Sequence, residues 1–320
     1  MTVLVTGAAG FIGFHTARRL CLDGHDVVGI DNLNGYYDIA LKQARLKELA
    51  CLPGFRFLKM DIVDQPALLD LFREQRFTEV MHLAAQAGVR YSLDHPQVYG
   101  QSNLVGFLNV LEACRHHRPE HLIYASSSSV YGGNSKMPFS VEDPVDQPVS
   151  LYAATKRANE LLAHSYCHLY GLNASGLRFF TVYGPWGRPD MAPFKFTEAI
   201  LKGLPIDVYN QGEMARDFTY IDDIVESIAR LRTRPPGAGV NQLFNIGRGE
   251  PMALLDFIEC LESALDRQAR RNFMPMQDGD VVKTWADVSA LQAWVGFRPQ
   301  VSVETGVGEF VTWYRQFYQA

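Results

Sequence analysis

Tyr152 and Lys156 stand four residues apart in Tyr152-Ala153-Ala154-Thr155-Lys156. On a helix that spacing puts a phenol and an ammonium on one face. A phenol titrates near 10 and is a poor base at neutral pH, so it needs a nearby positive charge or hydrogen-bond donor to become a phenolate. A serine tract at 126–129 offers hydroxyl donors. It ends an apolar run, and the carboxyl ends of such strands are where open α/β sheets bind ligands. Together these groups can take a proton from a hydroxyl and return it.

A second cluster is built for phosphate. The first apolar run ends in Gly7-Ala8-Ala9-Gly10-Phe11-Ile12-Gly13. Glycines there permit a tight turn and a close approach to a pyrophosphate. The helix that follows offers free N–H groups and a positive dipole end. Asp31 lies 18 residues beyond Gly13, near the ~20 at which an acidic residue accepts the ribose hydroxyls of a dinucleotide. A carboxylate there repels a 2′-phosphate, and Asn32-Leu33-Asn34 contains no arginine. NAD is therefore expected in preference to NADP.

The elements that hold these groups alternate. Residues 2–6, 26–30, 55–59, 79–82 and 121–125 read as strands. Helical patterns at 11–22, 39–50, 65–75 and 96–116 lie between them. Residues 150–170 form a further helix and 174–179 a further strand. Such alternation predicts an α/β fold with a doubly wound parallel sheet. Beyond Tyr183, Pro185, Pro189, Pro193, Pro205, Pro235 and Pro236 punctuate shorter elements. Residues 1–183 are expected to form the cofactor-binding domain. Residues 184–320 are expected to form mainly a smaller substrate lobe, whose chain returns to the main sheet near 242–246.

The chain has 320 residues, 47% of them apolar and 20% charged, with a net charge of −5. That composition fits a folded globular protein and, without a basic block, argues against a nucleic-acid partner. The five cysteines are scattered, so no metal site is expected and reduced thiols in a cytoplasm fit best. No leader is expected before the first strand, and no apolar run reaches the ~18 residues of a membrane span.

These motifs resemble the extended short-chain dehydrogenase/reductase family, whose fold is of Rossmann type. The resemblance rests on the glycine turn, Asp31, Asp61-Ile62, His82-Leu83-Ala84-Ala85, the serine tract before Val130-Tyr131-Gly132, and Tyr152 with Lys156. It implies that Gly7, Gly10, Phe11, Ile12 and Gly13 bind the NAD pyrophosphate, and that Asp31 and Asn32 bind its adenosine ribose. Asp61 and Ile62 would flank the adenine, while Leu83, Ala84 and Ala85 would line the cofactor. Asn103 would support the active-site helix. Tyr152 would be the base, Lys156 would hold the nicotinamide ribose, and Ser127 would bond the reacting hydroxyl, with Ser126 and Ser128 as neighbouring alternatives. The helices at 96–116 and 150–170 would pair across a homodimer.

The second half is similar to the sugar-nucleotide branch of that family. Its marks are Arg178-Phe179-Phe180-Thr181-Val182-Tyr183-Gly184-Pro185 and Arg216-Asp217-Phe218-Thr219-Tyr220-Ile221-Asp222-Asp223. The stretch from Tyr183 through Trp186-Gly187-Arg188 to Met191 resembles UDP-glucuronate 4-epimerases. The resemblance implies a UDP-sugar substrate, with Arg216 and Asp280 at the nucleotide and with Ser127, Ser128, Thr181 and Arg188 at the sugar. A guanidinium suits a sugar carboxylate. An internal Arg188–Asp190 pair and an Arg216–Asp217 pair are the structural alternatives. Related 4,6-dehydratases carry Asp-Glu after the catalytic hydroxyl and decarboxylases carry Ser-Glu. Ser128 and Ser129 stand there instead, which implies oxidation and re-reduction at C4 alone. Two departures are Gln277-Asp278 before Gly279-Asp280, where Arg-Pro is common, and Pro193 in place of an aromatic residue. Two further readings stay open. A 4-epimerase of UDP-hexoses or UDP-N-acetylhexosamines would not need Arg188, and a non-catalytic NAD-binding module would not need Tyr152 and Lys156.

Overall fold

Parallel strands covered on both faces must be apolar throughout. Val3-Leu4-Val5 and Val27-Val28-Gly29-Ile30 meet that demand, and all are buried. The computed structural model describes residues 1–277 and 279–319. Asp278, one of the two residues that depart from the common Arg-Pro, lies outside the described residues.

Its first half runs β1 (Thr2–Thr6), α1 (Phe11–Leu22), β2 (Asp26–Asp31), α2 (Ile39–Ala50), β3 (Phe55–Lys59), α3 (Gln65–Glu74) and β4 (Glu79–His82). Two short turns follow, α4 (Tyr91–Asp94) and α5 (Pro96–Tyr99), then a π-helical segment (Gly100–Val105), α6 (Gly106–His117) and β5 (His121–Ser127). The long α7 (Leu151–Tyr170) leads to β6 (Ala174–Phe179) and β7 (Thr181–Tyr183). The remainder comprises α8 (Ala192–Leu201), β8 (Pro205–Val208), β9 (Ala215–Arg216), β10 (Phe218–Tyr220), α9 (Ile221–Arg232), β11 (Asn241–Ile246), β12 (Met252–Ala253), α10 (Leu254–Leu265), β13 (Arg270–Phe273), α11 (Ser289–Val295) and α12 (Val303–Tyr318).

Among the described residues, seven parallel strands form the main sheet in the order β11-β6-β5-β4-β1-β2-β3. Chain direction across the sheet reverses between β1 and β4, the crevice where doubly wound sheets bind dinucleotides. In the second half, β7 pairs with β10, β8 with β13 and β9 with β12. One apolar core joins strand residues such as Val3 and Met81 to Phe257, Phe310 and Tyr314.

Local chemistry sets the boundaries. Ser150 caps α7, accepting the Ala153 N–H at 3.1 Å. Gly171, at φ +69°, ends it in the left-handed conformation. Pro193, which marks a break in the sequence pattern, sits instead in the first turn of α8, where a missing N–H costs nothing. The span 96–116, read as one helix, widens into a π turn at 100–105. That turn carries the buried Asn103, whose amide bonds Gln86 and Thr155. β5 extends to Ser127 rather than stopping at Ala125, because Ser126 and Ser127 pair with Arg178 and Phe179 of β6.

Candidate active site

The glycine turn is held at close quarters. A Cβ on Gly7, which has φ +72°, would lie 2.8 Å from the Ala84 backbone, and one on Gly13 would lie 2.0 Å from the Gly7 carbonyl oxygen. α1 therefore abuts the turn closely. Phe11 is buried at its start, Ile12 is partly buried against the core, and Gly10 is its N-cap. Asp31 is aimed by two backbone donors, Ala9 N–H at 3.2 Å and Leu33 N–H at 2.8 Å. Gly7, Asp31, Asn32, Asp61, Ile62, Leu83, Ala84 and Ala85 line one groove across the switch point. Asn32 donates to Asp61 at 2.9 Å. Glycine cradle, aimed carboxylate and apolar wall fit the NAD pyrophosphate, ribose and adenine respectively. Lys42, which the sequence reading passes over, also lines this groove and donates to Asn34 through two 3.0 Å bonds.

Tyr152 sits in the first turn of α7, and burial raises its pKa. The groups that draw it back are the Ser127 hydroxyl and the Arg188 guanidinium, rather than Lys156 as the helix spacing suggests. Lys156 is buried and donates to the Ala125 carbonyl at 2.8 Å. Burial lowers it to about 8, opposed by Glu160. The α7 helix is braced by Asn103. Its side chain donates to Thr155 at 3.0 Å, and its carbonyl accepts from Asn159 at 2.6 Å.

Geometry separates the serines. Ser126 donates to Glu160 at 2.6 Å within a fully buried Arg178–Glu160 pair. That commitment turns it away from the phenol. Ser127 is the hydroxyl that acts on Tyr152, while Ser128 and Ser129 face a cavity of about 600 Å³. Thr181, Tyr36 and Asp190 also line that cavity, as do Arg90, Tyr209, Arg216 and Asp280.

Arg188 pairs with Asp190, which also accepts from the Tyr36 hydroxyl at 3.0 Å. This is the internal pair weighed as the alternative, and it coexists with a pull on Tyr152. Burial opposes the charge on Asp190, but Arg188 and Tyr36 outweigh it and hold the carboxyl below the usual range. Burial opposes the Arg188 charge too, and Asp190 reverses the sign and raises its pKa. Arg216 does not pair with Asp217. It bonds the Ala215 and Val282 carbonyls and approaches Asp280 at 3.8 Å. Asp217 is fully buried and accepts backbone N–H groups of Arg248, Gly249 and Ala286. Arg90, also absent from the sequence reading, donates to Asp280 at 3.1 Å and lies 5.0 Å over the Tyr209 ring. One carboxylate thus stands between two guanidiniums, an arrangement suited to a diphosphate and a ribose.

Two imidazoles near these turns, His15 partly buried and His82 buried, are held neutral. Burial pushes His15 and His82 down to about 3. The unfolded chain protonates them near 6.5 and the folded chain does not, so the unfolded state binds more protons between those values. Stability is full above 6.5 and falls with pH by up to about 1.4 kcal/mol per unit for each imidazole. Urea midpoints should therefore drop between pH 7 and 5, and His15→Asn should make that slope shallower. An equal slope in the variant would remove His15 from the account.

Known proteins share this architecture. A probable UDP-glucuronate 4-epimerase of Rhizobium meliloti is 50% identical over all of this chain and 98% of its own length. The crystal structure of a Bacillus cereus UDP-glucuronic acid 4-epimerase, in complex with UDP-glucuronic acid and NAD, superposes with a TM-score of 0.93 at 35% identity, covering 99% of this chain and all of that one. A Thermotoga maritima UDP-glucose 4-epimerase, with UDP-glucose, gives a TM-score of 0.90 at 30% identity over 99% of this chain and all of that one. The model of one family, described as NAD dependent epimerase/dehydratase, matches residues 3–247, and with the glycine cradle, the aimed Asp31 and the Tyr152–Ser127 contact all inside that span, the chain belongs to that family.

Proposed function

We propose that this chain is an NAD-dependent UDP-sugar 4-epimerase whose substrate pair is UDP-glucuronate and UDP-galacturonate. One observation carries the choice of sugar. Arg188, held charged by Asp190, acts on the base Tyr152 from beside a cavity whose serine tract carries no acid. A neutral C6 hydroxymethyl would offer that guanidinium no anionic partner in the substrate.

When bound, NAD supplies the hydride acceptor and donor for C4. Ser127 bonds the C4 hydroxyl and Tyr152 takes its proton. Burial keeps the phenol protonated on its own, so its ionisation depends on Ser127, Arg188 and the positive ring of the oxidised nicotinamide. Lys156 holds the nicotinamide ribose through the donors left by its bond to Ala125. The 4-keto sugar turns while Arg216, Arg90 and Asp280 keep UDP anchored, so that C4 would offer its opposite face to the returning hydride while Tyr152 gives the proton back to the C4 oxygen. A 4-keto uronate is a β-keto acid, which loses carbon dioxide when the C5–C6 bond aligns with the carbonyl π system. Ser127, Ser128, Thr181 and Arg188 hold the carboxylate out of that alignment.

Residues 184–320 mainly receive the UDP-sugar, while residues 1–183 bind NAD. The chain pairs with a second copy through the faces of α6 and α7, where Leu108, Leu151, Leu161 and Leu169 are exposed. A cytoplasmic location is consistent with its free cysteines. Among the described residues no helix is long and apolar enough to cross a membrane.

The test is incubation of purified protein with UDP-glucuronate without added NAD, followed by product separation. UDP-galacturonate should accumulate to a fixed ratio. Turnover of UDP-glucose with none of UDP-glucuronate would overturn the assignment.

A further inference from the structure

Arg45 is a charged residue in an apolar place. It lies on the α2 face that also carries Leu41 and Leu49, and none of its surface is exposed. Among the described residues no carboxylate bonds it. Its guanidinium donates to four neutral oxygens: Ala9 carbonyl at 2.8 Å, Tyr37 hydroxyl at 2.7 Å, Trp186 carbonyl at 2.6 Å and Gly187 carbonyl at 3.1 Å. Burying a cation against neutral oxygens is costly, so its place here calls for a reason beyond packing.

Its contacts supply one. His15 of α1 bonds the Pro185 carbonyl at 2.9 Å. Three successive carbonyls, at 185, 186 and 187, are therefore tied to the two helices that flank the cofactor turn. Trp186 has φ +62°, a conformation that L side chains seldom adopt. Rings of Phe14, Trp313 and Phe317 pack against it within 5.4 Å between centroids. A Cβ on Gly187 would lie 2.9 Å from the Gly184 carbonyl oxygen. So strained and fully tethered a turn delivers one thing, the position of the next residue, Arg188. The Ala9 peptide closes the link: its N–H goes to Asp31 and its carbonyl to Arg45.

We propose that Arg45, seconded by His15, is a positioning residue that fastens the 185–187 turn to the cofactor turn and so sets where Arg188 meets the sugar carboxylate. The inference rests on the reading of Arg188 as the carboxylate partner. A planar fork is needed, because each terminal nitrogen serves two acceptors in fixed directions. Lysine keeps the charge and loses the fork.

The test compares Arg45→Lys, His15→Asn and Arg188→Met with the unaltered protein under saturating NAD. Calorimetry gives the affinity for UDP-glucuronate relative to UDP, which lacks the carboxylate. Turnover gives the ratio of 4-keto pentose to epimer. The pentose arises when the C5–C6 bond breaks and carbon dioxide leaves. That electron pair enters the C4 carbonyl as an enolate, C5 takes a proton from water, and the two electrons removed from C4 stay on the cofactor. Arg45→Lys should lower the relative affinity roughly tenfold to a hundredfold, the effect expected of an ångström-scale displacement, with UDP affinity unchanged and the pentose share raised. His15→Asn should move both readouts the same way by less, and it carries the test alone if Arg45→Lys does not fold. Losing UDP and UDP-glucuronate affinity in equal measure would mark Arg45 as general scaffolding and overturn the proposal. So would unaltered readouts in the Arg45 and His15 variants beside a changed Arg188→Met. Unaltered readouts in Arg188→Met itself would remove the reading of Arg188, and this inference with it.

Discussion

Tyr152→Phe should lower turnover of UDP-glucuronate by about 10²- to 10⁴-fold, the range associated with losing a positioned acid–base group. The change removes one oxygen from a side chain whose ring rests against Tyr99 at 6.1 Å between centroids. The fold should lose no more than about 1 kcal/mol, one hydrogen bond's worth. Binding of UDP-glucuronate and retention of NAD should survive, so the loss belongs in kcat. Ser127→Ala should also reduce kcat, and it should move the acid limb of the pH profile upward, because the hydroxyl helps hold the Tyr152 pKa down. Activity is present above the phenolate pKa and disappears as pH falls through it. Turnover within tenfold of the unaltered protein in Tyr152→Phe would sink the assignment of the base.

Much of the frame that makes this test possible is legible in the residues. Strands buried on both faces cannot hide, since their centres must be apolar, and β1, β2 and β5 announce themselves that way, whereas the edge strand β3 keeps exposed charges. The glycine turn is legible because its spacing obeys a steric demand now visible as the impossible Cβ positions at Gly7 and Gly13. What stays hidden is polar chemistry across long sequence distances. Ser126 looks equivalent to Ser127 until Glu160 and Arg178 claim it. Arg90 finds Asp280 across 190 positions, and Arg45 finds Gly187 across 142. Helix α2 does hold a clue, since Lys42 and Arg45 share the buried face with Leu41 and Leu49. Charges on an apolar stripe signal polar partners elsewhere in the fold, though they do not say where. The π turn has no such mark, because one extra residue in a helix barely disturbs the apolar period.

Arg188→Met should cut kcat/KM for UDP-glucuronate roughly 30- to 5,000-fold, the equivalent of the ~2–5 kcal/mol lost on truncating one partner of a bonded charge pair. Two effects combine here. The sugar carboxylate loses its cation, and Asp190 loses the group that holds its carboxyl ionised at low cost. A negative Asp190, still bonded by Tyr36, would then repel the incoming uronate. Arg188→Met with Asp190→Asn should therefore recover part of the binding while leaving the preference for a uronate absent. The base reports independently. Arg188 helps hold the Tyr152 pKa down, so its removal should shift the acid limb of kcat/KM to higher pH. A merely structural Arg188–Asp190 pair predicts something else: lower thermal stability, an unmoved acid limb and unchanged discrimination between UDP-glucuronate and UDP. The two accounts diverge most in the double variant, where a scaffold would stay weakened with its discrimination intact but a carboxylate site would regain part of its binding and none of its discrimination.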